Sequence, residues 1–569
     1  MAHDRPNSSP LYPRPLVDAP PPLPGMRVME NVYVTMRDGV RLAVDIYLPE
    51  SEGRYPALLS LSLYLKEIQR KPPHWSHAIE SGATSFYVPN GYVHVIAQGR
   101  GAGLSQGQWN WFDEKERTDG CDLIEWIAAQ PWCTGNVGMI GDSYWSWSQY
   151  WAAIAQPPHL KCICQQDATV DLYRDVCFQG GLYHHAFVSQ WIPYHTAMMA
   201  WPGPVEGKQP PMNLTYEAHS HPCDGPFWRE RSAWTQLDRI EVPVLSIAPQ
   251  GGQMHFRGQL WGYPRIKAPK KLMVVPPTGF WSHVRYLTDR ALNRQMLRWF
   301  DHWLKGVDTG IMNEPEVAIF DTGTRTWRYE SEYPLARTEW KKLHLRASSA
   351  LQNEAPSNDE PPDRYRLPES LALLVAGKPV LAYGTTPLEK DLRLWGPLSL
   401  TLYASSSAID TAWFVKVMDV KPDGSATMVS KGNLKASFRA VDPARSAPGQ
   451  PFHPFERQEL LEPGRVYEFQ IELVPLFHTF RAGHRLQLQI ASEDIQYSNP
   501  LRQIDVQLLP WPVENAIHHD RAHPSHLMLP VIPDAPELRA VEPPLADIDW
   551  PLVPGQWRAD TEGWPLTGK

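Results

Sequence analysis

Residues 137–145, which read VGMIGDSYW, decide the fold of this chain. The first four residues form a short apolar run typical of a buried strand, and residues 143–156 have a helical pattern that ends before Pro157. A serine on the sharp turn between a strand and a helix exposes its hydroxyl beside the helix N-terminus and its free backbone N–H groups. Ser143 is therefore a candidate nucleophile, with a helix N-cap as the structural alternative.

The segments on either side of this turn alternate between strand and helix patterns. Strands are predicted at residues 56–65, 92–97, 137–140, 159–164, 242–248 and 271–276, and helices at 118–130 and 143–156. A hairpin with its turn at Arg37-Asp38-Gly39 precedes them. Strands that alternate with helices indicate a parallel sheet covered by helices, and a strand–Gly-x-Ser–helix turn within such a sheet is the nucleophile elbow of an α/β-hydrolase domain.

Changes of pattern divide the rest of the chain. Eight of the first 25 residues are proline, which predicts an extended N-terminal arm. The hydrolase core is predicted at residues 26–166 and 239–310, interrupted at 167–238 by an aromatic-rich segment that we interpret as a helical cap. Residues 311–569 carry short alternating runs without helices between them, which predicts an all-β sandwich or jelly-roll domain.

Composition limits the classes of function. Of the 569 residues, 54 are Lys or Arg and 62 are Asp or Glu, giving a net charge of −8 without a basic block, so nucleic acid is a poor partner. The six cysteines lack zinc-site spacing, and His184 and His185 lack a third ligand, so we expect no metal and no cofactor. Without a signal-like N-terminus or an apolar run of about 20 residues, a soluble cytoplasmic protein is expected. The proline-rich arm suggests a homodimer as one possibility.

Several motifs together resemble the CocE/NonD hydrolases, the group of cocaine esterase and X-prolyl dipeptidyl peptidase. The motifs are MRDGVRL at 36–42, GRGAGLS at 99–105, Asp119-Gly120, Glu125-Trp126, Gln130-Pro131-Trp132, GDSY at 141–144, FDHWLKG at 300–306, KAS at 435–437, AGHRL at 482–486 and SHL at 525–527. They cover nearly the whole chain in the order of the family. The resemblance implies an α/β-hydrolase domain with a helical cap, followed by a jelly roll, which is the division reached from pattern.

The resemblance also implies a catalytic serine, a histidine base and a residue that orients the histidine. Ser143 matches the nucleophile, and His283, in GFWSH at 279–283, matches the base. The family usually has an aspartate after the strand at 242–248, whereas this chain reads PQGGQMH at 249–255. Either a carboxylate comes from elsewhere, or an amide such as Gln253 orients the imidazole.

The same resemblance implies the donors that stabilise an oxyanion. Tyr64, at the end of an early strand, matches a tyrosine hydroxyl donor, and the backbone N–H of Tyr144 is the second donor. Trp145 stands where the G-x-S-x-G nucleophile elbow of α/β-hydrolases has its second glycine. The predicted substrate pocket is aromatic and suits a bulky apolar acyl group; its residues are Trp145, Trp147, Tyr173, Phe187 and Trp191.

These residues predict a serine hydrolase that cleaves a small-molecule carboxylic ester or amide through an acyl-enzyme on Ser143. Three alternatives stay open. The first is acyl transfer in a dry pocket, and the second is an X-Pro or amino-acyl peptidase in which Asp171, Asp175 or Glu217 grips a free amine. The third is a catalytically impaired binding protein, which the missing acid and Trp145 suggest.

Overall fold

The computed structural model describes residues 26–67, 78–252, 254–277, 290–367, 380–492, 513–536 and 538–539. The predicted arm 1–25, Gln253 and His283 lie outside these ranges. In the part of the chain that is described, no helix is long and apolar enough to cross a membrane.

The first half of the chain builds one mixed sheet. In chain order the strands are β1 (Met26–Thr35), β2 (Arg41–Pro49), β3 (Tyr55–Ser62), β4 (Val93–Gln98), β5 (Cys133–Asp142), β6 (Leu160–Gln166), β7 (Phe178–Gln179), β8 (Leu182–Tyr183), β9 (Val244–Pro249), β10 (Lys270–Val275), β11 (Val317–Asp321) and β12 (Thr326–Glu330). Among the described residues, all except β7 and β8 form a 10-stranded sheet in the order β1-β2-β4-β3-β5-β6-β9-β10-β11-β12. Neighbouring strands from β4 to β11 in this order run parallel.

The described helices are α1 (Thr84–Tyr87), α2 (Glu114–Ala128), α3 (Tyr144–Ile154), α4 (His185–Met199), α5 (Leu214–Ser220), α6 (Pro226–Glu230), α7 (Phe256–Gly262) and α8 (Arg290–Lys305). Every residue of α3 is buried, which fits a helix packed on the centre of the sheet. The predicted α/β-hydrolase domain is confirmed, with β5 near the middle of the sheet and α3 directly after it.

The segment between β6 and β9 leaves the sheet, as the predicted cap does. It contains a π-helical turn at Leu172–Cys177, the two-stranded β7–β8 hairpin, and helices α4, α5 and α6. Because β6 and β9 are adjacent and parallel in the sheet, this whole segment is an excursion between neighbouring strands.

Within the described residues the C-terminal half is built from strands, with a short 3₁₀ turn at Ala436–Phe438, as predicted for a β domain. Its strands are β13 (Glu339–Arg346), β14 (Ala350–Gln352), β15 (Asp363–Leu367), β16 (Leu381–Gly384), β17 (Leu392–Ser406), β18 (Ala412–Val420), β19 (Ala426–Lys435), β20 (Tyr467–Phe480), β21 (Arg485–Ala491), β22 (Val513–His518) and β23 (His526–Val531). Within the described ranges these eleven strands form one sheet, and β23 pairs with both β13 and β17. That double pairing closes nine of the strands into a barrel-like ring.

Strands β11 and β12 differ from the sequence prediction. The sequence pattern places residues 316–320 in the C-terminal domain, since it predicts that this domain begins at residue 311. The structure pairs β11 in parallel with β10 and adds β12 as an antiparallel edge strand. The hydrolase sheet therefore continues to Glu330, because β11 pairs with the backbone N–H and C=O groups that β10 would otherwise leave unpaired at the sheet edge.

Buried ion pairs hold the cap and the core against the C-terminal domain. Arg257 on α7 bonds to Asp175 in the cap at 2.7 Å and to Glu472 on β20 at 2.9 Å. Arg174 bonds to Asp171 at 2.8 Å and donates to the backbone carbonyl of His453 at 3.0 Å. These guanidinium groups are nearly inaccessible to water, so each must keep its partners to avoid a buried unpaired charge. The C-terminal domain is thereby fixed to the segment that covers the sheet.

Candidate active site

Ser143 occupies a strained position between β5 and α3. Its backbone has φ 56° and ψ −124°, a conformation that usually requires glycine and costs about 1–3 kcal/mol for other residues. The Ser143 N–H donates to the carbonyl of Gln166 on β6 at 3.1 Å, and the Ser143 carbonyl accepts from the N–H groups of Ser146 and Trp147 at 2.8 and 2.9 Å. The side chain makes no capping hydrogen bond. The turn therefore holds the serine where its hydroxyl is free of the N-cap role.

Gly141 and Trp145 meet within this turn. A Cβ at Gly141 would lie 2.2 Å from Cβ of Trp145, and Gly141 has φ 154°, so no larger residue fits there. The Trp145 ring is buried and meets the ring of Tyr64 edge-on, with 6.1 Å between the centroids. Trp145, placed in the substrate pocket by the sequence, thus packs as a support for Tyr64 in the structure. The turn accommodates a tryptophan because Gly141 leaves the space.

Tyr64 brings its hydroxyl to Ser143. The hydroxyl interacts with the side chains of Ser143 and Trp191, and the ring lies 6.0 Å from that of Tyr144 and 4.9 Å from that of His195. Burial, followed by the negative charge of Glu80, raises the pKa of the Tyr64 phenol well above its usual value. The phenol therefore keeps its proton at neutral pH and can donate a hydrogen bond to an oxygen that becomes negative beside Ser143.

Tyr144, the residue after the serine, is fixed through its side chain. Its hydroxyl donates to Oε1 of Glu116 at 2.6 Å and accepts from the indole N–H of Trp109 at 3.0 Å. The second carboxylate oxygen of Glu116 accepts from the N–H of Phe112 at 2.6 Å. The Tyr144 ring stacks on Phe112 with 4.4 Å between the centroids. This network orients the residue whose backbone N–H starts α3, and all of its members are buried.

An aromatic cluster lies next to Ser143 and joins the core to the cap. The Trp191 ring on α4 stacks at 6.4 Å on Tyr144 and at 5.7 Å on Phe187, while Trp147 lies 5.9 Å from Tyr144. The cluster also contains Trp109, Trp111, Phe112, His184, His195 and His255. Three of the predicted pocket residues, Trp147, Phe187 and Trp191, are thus brought together.

Tyr173 is placed elsewhere. Its ring stacks on Phe178 at 4.9 Å and contacts Phe455 of the C-terminal domain at 5.5 Å, and its hydroxyl donates to the carbonyl of Pro222. This residue therefore packs at the boundary between the cap and the C-terminal domain, apart from the cluster around Tyr144. His283 and Gln253, the predicted base and its possible orienting residue, lie outside the described residues.

Several residues at the site were not singled out from the sequence. Trp109, Trp111 and Phe112 follow the glycine-rich loop at 99–103, and Glu116 lies in the first turn of α2. In the sequence, Asp113 followed three residues later by Glu116 indicates only the start of a helix. The structure shows this cap, in which Asp113 accepts a hydrogen bond from the Glu116 N–H at 3.0 Å. Such a pattern gives no hint that the Glu116 side chain turns toward Tyr144.

The fold and this turn define a class. A parallel sheet with a cap inserted between two strands, a serine in a strained turn before a buried helix, and a neutral phenol beside it are the arrangement of a serine hydrolase on the α/β-hydrolase fold.

Comparison with known proteins finds two matching family models. Residues 38–285 match the model of the X-Pro dipeptidyl-peptidase family S15, and residues 309–528 match that of the X-Pro dipeptidyl-peptidase C-terminal non-catalytic domain. Both predicted domains are thus matched in order, and the chain is similar to the CocE/NonD hydrolases, as its motifs indicated.

Individual relatives span almost the full length. A putative serine esterase of Mycobacterium bovis is 27% identical, covering 89% of this chain and 96% of the relative. The cocaine esterase of a Rhodococcus species is 28% identical, covering 89% and 98%. The crystal structure of a CocE/NonD family hydrolase from Staphylococcus aureus superposes with a TM-score of 0.81 at 25% identity, covering 89% and 94%. The chain is accordingly a serine hydrolase.

The Glu116 network predicts a pH-dependent stability. Burial raises the pKa of Glu116 to about 7, so the folded protein holds this proton more tightly than the unfolded chain does. Stability from this group is then present at low pH and is lost as the pH rises from about 4.5 to about 7. Glu116→Gln cannot titrate. We therefore expect the Tm of the wild type, measured by calorimetry, to decrease by several degrees relative to that of Glu116→Gln as the pH rises over this range.

Glu116→Ala separates hydrogen bonding from charge. This variant removes both acceptors, leaving the Phe112 N–H and the Tyr144 hydroxyl without their present partner, at about 1–3 kcal/mol for each buried group. We expect Glu116→Ala to lose stability at every pH and Glu116→Gln to retain most of it near pH 7. Equal pH profiles of Tm in the wild type and Glu116→Gln would contradict the assignment of the titration to Glu116.

Proposed function

We propose that this protein hydrolyses carboxylic esters with a bulky apolar or aromatic acyl group, through an acyl-enzyme on Ser143. The observation that carries the proposal is the position of Ser143. It sits in the strained turn before α3, beside the Tyr64 hydroxyl and the aromatic cluster that contains Trp191. The esterases among its relatives support the ester as the scissile group.

In the proposed reaction, Oγ of Ser143 attacks the ester carbonyl carbon while His283 accepts its proton. Tyr64, through its hydroxyl, and Tyr144, through its backbone N–H, donate to the negative oxygen that forms. Collapse of the tetrahedral intermediate expels the alcohol, which takes the proton from His283. Water then attacks the acyl-enzyme by the same route and releases the acid. Gln253 or a carboxylate orients His283.

Two of the three candidate amine-binding carboxylates are already engaged. Asp171 bonds to Arg174 and to two backbone N–H groups, and Asp175 bonds to Arg257, to the Thr169 hydroxyl and to the Asp171 N–H. The third, Glu217, lies on α5, and its Oε2 is 3.6 Å from Nδ1 of His221. Binding a substrate amine at Asp171 or Asp175 would break a buried ion pair, which favours ester hydrolysis over an X-Pro peptidase activity.

A fluorophosphonate probe tests the nucleophile. Attack by Oγ of Ser143 on phosphorus displaces fluoride and leaves a covalent adduct that a fluorescent gel and mass spectrometry detect. We expect labelling of the wild type, none of Ser143→Ala, and a rate at least about 10³-fold lower for His283→Ala, because the serine hydroxyl then lacks its base.

Ser146→Ala is the matched control, since Ser146 lies one turn later on the same buried helix. Its labelling rate should equal that of the wild type. A wild-type protein that is folded yet resists the probe would favour the impaired binding protein, and an adduct on another residue would reject Ser143.

Tyr64→Phe tests the oxyanion donor. Loss of one such donor lowers kcat by about 10²–10³-fold, with KM little changed, because the interaction forms mainly in the transition state. Tyr87→Phe is the control: it removes another buried hydroxyl, one that donates to Asn293 at 2.9 Å in a separate part of the core. Equal activities of the two variants on one ester would remove Tyr64 from the proposed mechanism.

A graded panel of p-nitrophenyl esters tests the acyl preference. After division by the rate constant for hydroxide hydrolysis, kcat/KM should rise from acetate to butyrate to benzoate, because the apolar acyl group leaves water for the aromatic cluster. Trp191→Ala should reduce the benzoate preference by about tenfold or more.

Trp234→Ala controls for the general effect of losing a cap tryptophan, since Trp234 packs against Trp261 and Phe452 instead. Its ester preference should match that of the wild type. A wild-type preference for acetate would contradict the bulky acyl group while leaving esterase activity intact.

A further inference from the structure

The connection between β22 and β23 gathers three potential metal ligands that the hydrolase reaction does not use. His518 ends β22, and Asp520 and His523 follow in the connection. One ligand atom from each residue can be chosen so that all three lie within 4.8 Å of one another. All three side chains are partly exposed, so water can reach them. Two imidazoles and one carboxylate form the donor set of many transition-metal sites.

Asp520 and His523 already lie at a spacing that one ion requires. Nδ1 of His523 is 3.1 Å from Oδ2 of Asp520 and 3.2 Å from Oδ1. Bonds of about 2.0–2.1 Å to a tetrahedral Zn²⁺ place its ligand atoms about 3.3 Å apart. Oδ1 of Asp520 also accepts from the backbone N–H groups of Ala522 and His523, at 2.7 and 3.0 Å. The carboxylate is therefore held in place, and only a modest movement of His518 would complete the set.

The backbone that carries the ligands is anchored on its other side. His519 is fully buried, with Nδ1 3.2 Å from Oε2 of Glu360 and Nε2 3.0 Å from Oδ2 of Asp363. His518 is the last residue of β22, and its side chain is partly exposed while those of Ile517 and His519 on either side are buried. The Ser525 hydroxyl donates to the His518 carbonyl at 2.6 Å. These contacts limit how far the ligands can move apart.

A hydroxyl also lies against the ring of His518. Oγ of Ser405, on β17, is 3.2 Å from Nε2 of this imidazole. A ligating histidine commonly uses its second nitrogen in a hydrogen bond of this kind, which fixes the tautomer and the orientation of the ring. The cluster therefore has three ligands, a fixed carboxylate and an outer partner for one imidazole.

We propose that His518, Asp520 and His523 bind one Zn²⁺ ion, with water in the remaining position. The ion joins the end of β22 to the connection that leads into β23, and β23 closes the C-terminal barrel through its pairings with β13 and β17. Its role is to stabilise this closure. It takes no part in the chemistry at Ser143, and the proposal does not depend on the ester substrate.

Isothermal titration of zinc chloride into the full-length protein, after treatment with EDTA and its removal, tests the site. We expect one saturable equivalent in the wild type and an affinity at least about 100-fold lower in His523→Ala and Asp520→Asn. Zinc should also raise the Tm of the wild type and leave that of His523→Ala unchanged. An unchanged Tm without zinc shows whether each variant is folded.

His526→Ala is the matched control. His526 belongs to the same histidine-rich segment, but its Nδ1 donates a hydrogen bond to the carbonyl of Pro524. It should bind zinc as the wild type does. The proposal would be overturned if the wild type binds no single equivalent of zinc. It would also be overturned if zinc binding persists in the triple variant His518→Ala/Asp520→Asn/His523→Ala, whose labelling of Ser143 by the fluorophosphonate probe shows that it is folded.

Discussion

The turn at Ser143 is the constraint on which the active site depends. A serine with φ 56° and ψ −124° is unfavourable by about 1–3 kcal/mol, and the cost is offset only because β5 and the wholly buried α3 are packed on both sides of it. Gly141 makes the turn possible, since the Cβ of Trp145 occupies the space that a side chain at 141 would need. Position 141 must therefore be glycine when position 145 carries a side chain. The Trp145 ring in turn packs edge-on against the ring of Tyr64.

One aromatic cluster links the proposed acyl pocket to the proposed oxyanion donors. Trp191 from the cap stacks on Tyr144 and interacts with the Tyr64 hydroxyl, so a cap residue contacts both proposed donors. Glu116 and Trp109 hold the Tyr144 hydroxyl from the core side. A displacement of the cap would thus disturb the proposed pocket and the proposed donors together.

The C-terminal domain supports this arrangement through charge as well as packing. Arg257 joins Asp175 of the cap to Glu472 of the barrel, and the carbonyl of Gly180 in the β7–β8 turn accepts from the N–H of Lys435 at 2.8 Å. Because the paired groups are buried, loss of one partner would leave an unpaired charge away from water. These contacts therefore fix the cap, which carries Trp191, to the C-terminal domain.

The sequence by itself determined the local features: the strand–Gly-x-Ser–helix turn at Ser143, the alternation of strands and helices, and the all-β second half. These follow from hydrophobic period and turn chemistry, which neighbouring residues settle. Only the tertiary structure decided that Trp191 faces Tyr144 while Tyr173 faces Phe455, that Glu116 accepts from Tyr144, and that β11 continues the first sheet. Each of these contacts joins residues that are far apart in the sequence. The residue types and the hydrophobic period within one segment do not show which distant surface that segment will contact.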